Sequence, residues 1–152
     1  MPNQIVVEGI KEFRAALKEL GDPTATKEFK LAGYNAAAEV VVPRAQGRAS
    51  ALGRMQSAAA ATLQPKKTVT GGAVSFGQGV PFAMGAEFGA AQDQLRNTQR
   101  GTIRGSNQFE AWRGNGSDAG YFLWPTIRDD AEEIVGKFAE GIDKLTQRLG
   151  WR

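Results

Sequence analysis

Between Ile127 and Leu149, eight apolar residues (Ile127, Ala131, Ile134, Val135, Phe138, Ile142, Leu145 and Leu149) recur at steps of mostly three or four. That is the 3.6-residue period of an amphipathic helix. Asp129, Asp130, Glu132 and Glu133 stand at its start and Lys144 and Arg148 at its end, as the helix dipole favours, and Gly150 offers a C-cap. Tyr121-Phe122-Leu123-Trp124-Pro125 leads into it. At 1.5 Å per residue this helix is about 37 Å long. One apolar side of that length must be covered, so the rest of the chain is expected to supply a sheet on which the stripe packs.

The N-terminal third supplies two more helices. Ile10, Phe13, Leu17 and Leu20 recur at helical steps and Gly21 caps them. Asp22-Pro23 then suits an N-cap followed by a first helical residue that needs no N–H donor. Leu31, Tyr34, Ala38 and Val41 continue the period, so Val40-Val41-Val42 reads as helix, with a kink or end near Pro43. Gly47, Ser50 and Gly53 mark a break. Gln4 to Glu8, Ala58 to Leu63, Thr68 to Thr70 and Ala73 to Phe76 read as short strands. Gly71-Gly72 is a two-residue hairpin signal, and Pro65 marks the end of an earlier strand. The expected fold is α+β: a small, mainly antiparallel sheet, a meander, packed by two N-terminal helices and one long C-terminal helix. Residues 1–152 are read as a single domain, with 90–118 as an inserted flexible loop or hairpin.

Composition narrows the chemistry. The 152 residues contain no cysteine and no histidine. This removes disulfides, thiolate sites, Ser-His and Cys-His dyads and the commonest transition-metal ligand. No cofactor or metal is expected. Nineteen basic residues face sixteen acidic ones, a net charge of +3. So mild an excess permits nearby nucleic acid without arguing for it. Its distribution is uneven: residues 51–86 hold three basic residues and no acidic one, and the stretch from Arg54 to Lys67 is the one locally one-signed segment. No apolar run is long enough to cross a membrane, and the opening Met-Pro-Asn-Gln-Ile-Val-Val-Glu has no signal-peptide pattern. Neither membrane insertion nor export by a standard signal is expected.

Five features of the sequence bear a chemical reading. The acidic cluster at 129–133 has spacing that can present carboxylates to a cation, but acids in a first helical turn are already explained by the dipole. Glu87 lies among apolar neighbours, where a lone carboxylate can be a general base, yet no catalytic partner is identifiable by spacing. Gly114 to Gly120 superficially suggests a phosphate loop but matches neither G-x-G-x-x-G nor the Walker pattern, and is read as a turn. Arg96, Arg100 and Arg104 recur every four residues, with Arg113 beyond. On a helix they form one basic stripe able to meet DNA phosphates, although Gly101 and Gly105 interrupt it. The rings of Trp112, Tyr121, Phe122 and Trp124 are of the kind that fills a core or an intersubunit groove.

Taken in order, Val80-Pro81-Phe82-Ala83-Met84-Gly85-Ala86-Glu87-Phe88-Gly89 after the strands and Gly120-Tyr121-Phe122-Leu123-Trp124-Pro125 before the last helix carry a resemblance. The chain resembles the HK97 gp10-like neck or tail-completion (head-tail joining) proteins of tailed bacteriophages. Phe82-Ala83 and Glu87-Phe88-Gly89 stand where that family has Tyr-Ala and Glu-Phe-Gly-Thr, and Tyr121 to Pro125 where it has a Pro-Phe-Leu-x-Pro type lead-in. The similarity covers most of the chain. Ala90 replaces the usual Thr, a Thr-Gly-x-Leu element is reduced to Ser50-Ala51-Leu52-Gly53, and 90–118 is inserted.

The resemblance implies a structural subunit and no reaction: a head-to-tail connector ring, hexameric by expectation, joining the portal complex to the tail tube. It would be made in the host cytoplasm and reside in the virion neck. Its partners would be like copies, neighbouring connector and tail-tube proteins, and genomic DNA touched non-specifically in the channel. Glu87, Phe88, Gly89, Phe109, Trp112, Tyr121, Phe122 and Trp124 become candidate interface residues, and Arg96, Arg100 and Arg104 candidate channel residues. The alternatives are a tail terminator ring of the same virion region, a small DNA-binding protein suggested by the loop arginines, and a carboxylate-dependent hydrolase around Glu87.

Overall fold

The structure, a computed structural model, describes residues 9–68, 71–90, 95–98, 101–104 and 109–151. Its first two helices start and stop where the local chemistry dictates. Helix α1, Ile10–Leu20, ends on Gly21 in the left-handed conformation. Helix α2, Pro23–Ala36, is capped by Asp22, whose carboxylate accepts the Thr24 N–H at 2.9 Å, with Pro23 in its first turn. The expected strand at Gln4 to Glu8 lies outside the described residues.

Helix α2 does not stop near Pro43. A π-helical turn at Ala37–Val41 follows it directly, and helix α3, Val42–Leu52, follows that. The wider turn delivers Pro43 to the opening of α3, where the missing N–H and the ring bulk cost little. Gly47 and Ser50 are therefore helical, and the chain breaks only at Gly53. Ala58 to Leu63 is not a strand. Helix α4, Arg54–Ala60, takes in its first three residues, because a run of alanines carries the highest helix propensity and no β-branched bulk.

Strands β1, Gln64–Thr68, and β2, Gly71–Ser75, pair antiparallel from Gln64↔Ser75 to Thr68↔Gly71. Two expectations shift here. Gly71 and Gly72 belong to β2 rather than to the turn, and Pro65 sits inside β1 opposite Val74, a position open to proline in a sheet of two edge strands. Helix α5 is Ala83–Phe88. Within the 90–118 segment, strands β3, Leu95–Thr98, and β4, Gly101–Arg104, form a second antiparallel hairpin. In place of one meander, the described strands make two separate pairs, and the α+β class stands.

The C-terminal helix starts earlier than its stripe and is interrupted once. Helix α6, Leu123–Asp129, gives way at Asp130 to helix α7, Ala131–Leu149, which ends on left-handed Gly150. The stripe packs chiefly on α2 and not on the sheet. Phe138 meets Phe29 edge-on with centroids 5.8 Å apart, Phe29 in turn meets Phe13, and Phe13 meets Trp151. Ile134, Phe138 and Leu145 are buried.

Small residues explain why α2 holds the centre. On one side a Cβ at Gly141 of α7 would collide with Ala32. On another, Gly33 lies backbone to backbone against Gly72 of β2, and a Cβ on either would strike the other chain. Helix α2 thus carries α7 and the β1–β2 hairpin on adjoining flanks, at distances only glycine permits.

The same substitution should consequently act with opposite sign at two glycines. Gly33→Ala is expected to cost about 1–3 kcal/mol by overpacking the α2 and β2 contact. Gly136→Ala, in α7 where a Cβ meets nothing, is expected to stabilise by up to about 1 kcal/mol. Urea denaturation midpoints decide both; equal shifts of one sign would refute the packing described.

Candidate interaction site around Glu87

Glu87 closes the short helix α5 with a carboxylate of zero relative exposure. Both of its oxygens are occupied. Oε2 accepts the backbone N–H of Phe122 at 3.3 Å and of Leu123 at 2.9 Å, and Oε1 accepts that of Trp124 at 2.9 Å. These are the N–H groups at the start of α6 that no turn of helix can satisfy, and a side chain 35 residues upstream satisfies them. Burial raises the Glu87 carboxyl above its ordinary range, and the backbone donors pull it back without overcoming that. Gly120 allows the approach: at φ +84° it turns the chain where a Cβ would strike both Oε1 of Glu87 and Trp124.

The chain between α5 and α6 returns along the same joint. Ala90 N–H donates to Glu110 at 2.9 Å, Arg113 N–H to Phe88 at 2.6 Å, and Gly120 N–H to Arg113 at 2.6 Å. Ala90 and Ala111 form a parallel bridge, and the Tyr121 hydroxyl donates to the Ala111 carbonyl at 2.6 Å. Rings fill the gaps. Phe88 meets Trp124 edge-on at 5.1 Å and Trp112 at 6.4 Å, Phe76 meets Phe122, and the Arg113 guanidinium lies 4.6 Å over the Tyr121 ring.

Most of the residues singled out from the sequence are brought together here, in unequal settings. Glu87 and Phe122 are enclosed within the chain, and Gly89 is buried with the 110–111 backbone where a side chain would be. The need to satisfy and cover the start of α6 takes these three inside. Phe88, Phe109, Tyr121 and Trp124 are half-buried. Trp112 remains 55% exposed and Met84 of α5 56% exposed, so an apolar surface persists beside the joint. An enclosed Glu87 whose oxygens already accept three N–H groups offers no access to a substrate.

The basic stripe does not form as a helix would form it. Arg96 pairs with Ile103 and Arg104 with Leu95 in the β3–β4 ladder, so these two are strand residues, and Arg100 lies outside the described residues. The acidic cluster has other partners. Arg48 donates to Thr126 and to Asp130, both at 2.7 Å, while Arg44 pairs with Asp130 at 3.2 Å and with Glu133. The hydrogen bond from Arg48 leads in holding Asp130 below the usual carboxylate range. This clasp ties α3 to the α6–α7 junction. Its trace in the sequence is two arginines four apart, and nothing local points to acids 82 residues away. Among the described residues no acidic group is arranged to hold a metal ion, and no helix is long and apolar enough to cross a membrane. Comparison of the chain with protein-family models, with curated proteins and with solved structures finds no match.

Glu87→Gln keeps the shape but turns an amide donor toward at least one of three buried N–H groups, at an expected cost of about 1–3 kcal/mol. The pH dependence carries a sign. Glu87 is raised on folding, so its titration stabilises fully below the unfolded value and this contribution is lost as pH rises through the folded one; the gap between wild type and Glu87→Gln should narrow from acid toward neutral pH. Asp130 is lowered, so its contribution is present above the unfolded value and lost as pH falls, and the gap to Asp130→Asn should widen over the same range. Denaturation at stepped pH reads both, and parallel profiles would contradict the assignment.

Proposed function

We propose that this chain is a structural subunit of a tailed-phage head-to-tail connector, a neck or tail-completion ring between portal complex and tail tube. One observation supports the reading above all: the two segments that carry the family resemblance, Glu87-Phe88-Gly89 and Tyr121 to Pro125, meet as one buried joint through three hydrogen bonds to Glu87. Two short motifs that are weak separately gain weight when they are halves of one device. No reaction is assigned to the chain.

A ring places two different faces of each subunit against its neighbours, so its contacts are heterologous and close by rotation. In this reading Met84 and Trp112 beside the joint contribute apolar area to such a contact, and the β3–β4 hairpin meets an adjoining protein. Six copies is the expected stoichiometry.

Electron cryomicroscopy of assembled particles tests the assignment. Density for this chain in a closed ring at the head-tail junction is the expected result, and finding it in the capsid shell, the tail fibres or outside the particle would overturn it. Met84→Lys and Trp112→Ser should each reduce joining of heads to tails while changing the stability of the isolated subunit by only about 1 kcal/mol or less, as exposed positions do. Normal yields of joined particles from both variants would remove that surface from the ring contact.

A further inference from the structure

We propose that the β1–β2 hairpin and the adjoining face of α2 form a docking surface for the phosphate backbone of double-stranded DNA, contacted by Lys27, Lys30, Lys66 and Lys67. The stretch from residue 51 to 86 contains no carboxylate, and the next acidic residue, Glu87, is sealed inside. The hairpin therefore carries Lys66 and Lys67 with no acidic residue of its own.

The register brings helix and hairpin lysines together. Lys67 pairs with Gly72, the residue in backbone contact with Gly33, so its ammonium stands 5.5 Å from the centroid of the Tyr34 ring. Lys30 lies one helical turn before Tyr34, and Lys27 three residues before Lys30, on the same side of α2. Lys66, next to Lys67 in β1, points to the opposite face of the ribbon. Among the described residues none of the four lysines has a carboxylate partner. The acids of α2 and the π turn are engaged elsewhere, Glu28 with Arg148 and Glu39 with Lys137, and the arginines of α3 are matched by Asp130 and Glu133. Uncompensated positive charge is gathered on this ridge.

Charge complementarity calls for a polyanion. A duplex presents one negative charge per about 1.7 Å of its axis, and lysines gathered where α2 meets the hairpin would release its condensed counterions. Ammonium groups act as point charges on phosphate, with none of the forked geometry by which arginine reads guanine. Binding is therefore non-specific in sequence and governed by counterion release. The proposal does not rest on the connector reading: duplex binding by the isolated protein stands or falls whatever its place in a particle.

Fluorescence anisotropy of the full chain with short labelled duplexes of unrelated sequence is the test. Expected are dissociation constants of roughly 10⁻⁴ to 10⁻⁶ M that do not depend on sequence, with log K falling against log salt at a slope of about −0.9 per lysine engaged, or about −3.6 for four. Replacing all four lysines by glutamine should flatten the slope to near zero. Each of Lys66→Gln and Lys67→Gln alone should flatten it by about 0.9, which keeps the test open if the fourfold variant does not fold. Arg96→Gln and Arg104→Gln should leave it unchanged. The proposal is overturned if wild type does not bind duplex at low salt, if the lysine variants keep the full slope, if the arginine variants abolish binding instead, or if phosphatidylserine vesicles or polyglutamate are bound in preference to duplex.

Discussion

The start of α6 presents N–H groups at Phe122, Leu123 and Trp124, the first two on buried residues. An unpartnered amide in that position costs more than a typical hydrogen bond returns, so the fold requires an acceptor there. Glu87 is that acceptor, and much of the surrounding architecture follows. Helix α5 must end where its last turn faces α6, Gly120 must turn the chain without a side chain, and the returning segment must run beside Phe88 to reach the joint. A carboxylate that looks like a catalytic candidate in an apolar stretch of sequence serves here as a helix cap supplied from a distance.

A second constraint, independent of the first, is steric. Helix α2 supports α7 through Ala32 and the hairpin through Gly33, and both contacts depend on the absence of bulk. The rings of Phe29, Phe138, Phe13 and Trp151 then fill the wider space beyond that crossing. Close backbone approach sets where the elements lie and aromatic packing fills what remains, a division that gives the core little tolerance at its small residues.

Periodicity and capping made the helices legible. The stripe from Ala131 to Leu149, the Gly21 and Gly150 caps and the Asp22-Pro23 start all correspond to what forms, while the break at Asp130 divides Ile127 from the rest of its stripe. The sequence misled where tertiary contact outweighs local signal. Gly71-Gly72 has the look of a turn, but Gly72 is glycine because Gly33 lies against it. Pro43 has the look of a helix kink or end, and of these the end does not occur, because a π turn passes the chain onward. Ala58 to Leu63 invited a strand reading from its flanks, against its own alanines. At the candidate site, the grouping of Glu87 with Phe88, Trp112, Tyr121 and Trp124 was legible from motif order. Which of these would be enclosed was not, because burial at the joint follows from hydrogen bonds spanning 35 to 37 residues. The clasp of Arg44 and Arg48 on Asp130 was illegible for the same reason, its partners being remote in sequence.

The bridge between Ala90 and Ala111 brings the two ends of an intervening segment side by side. A loop whose ends are already pinned is thermodynamically cheap to lengthen, each doubling adding only about 0.6 kcal/mol of closure entropy. The segment between those alanines is accordingly an exchangeable attachment. A longer, shorter or chemically different segment there leaves the joint beneath it undisturbed, so what this chain touches at that address can change while the helices that hold it stay the same.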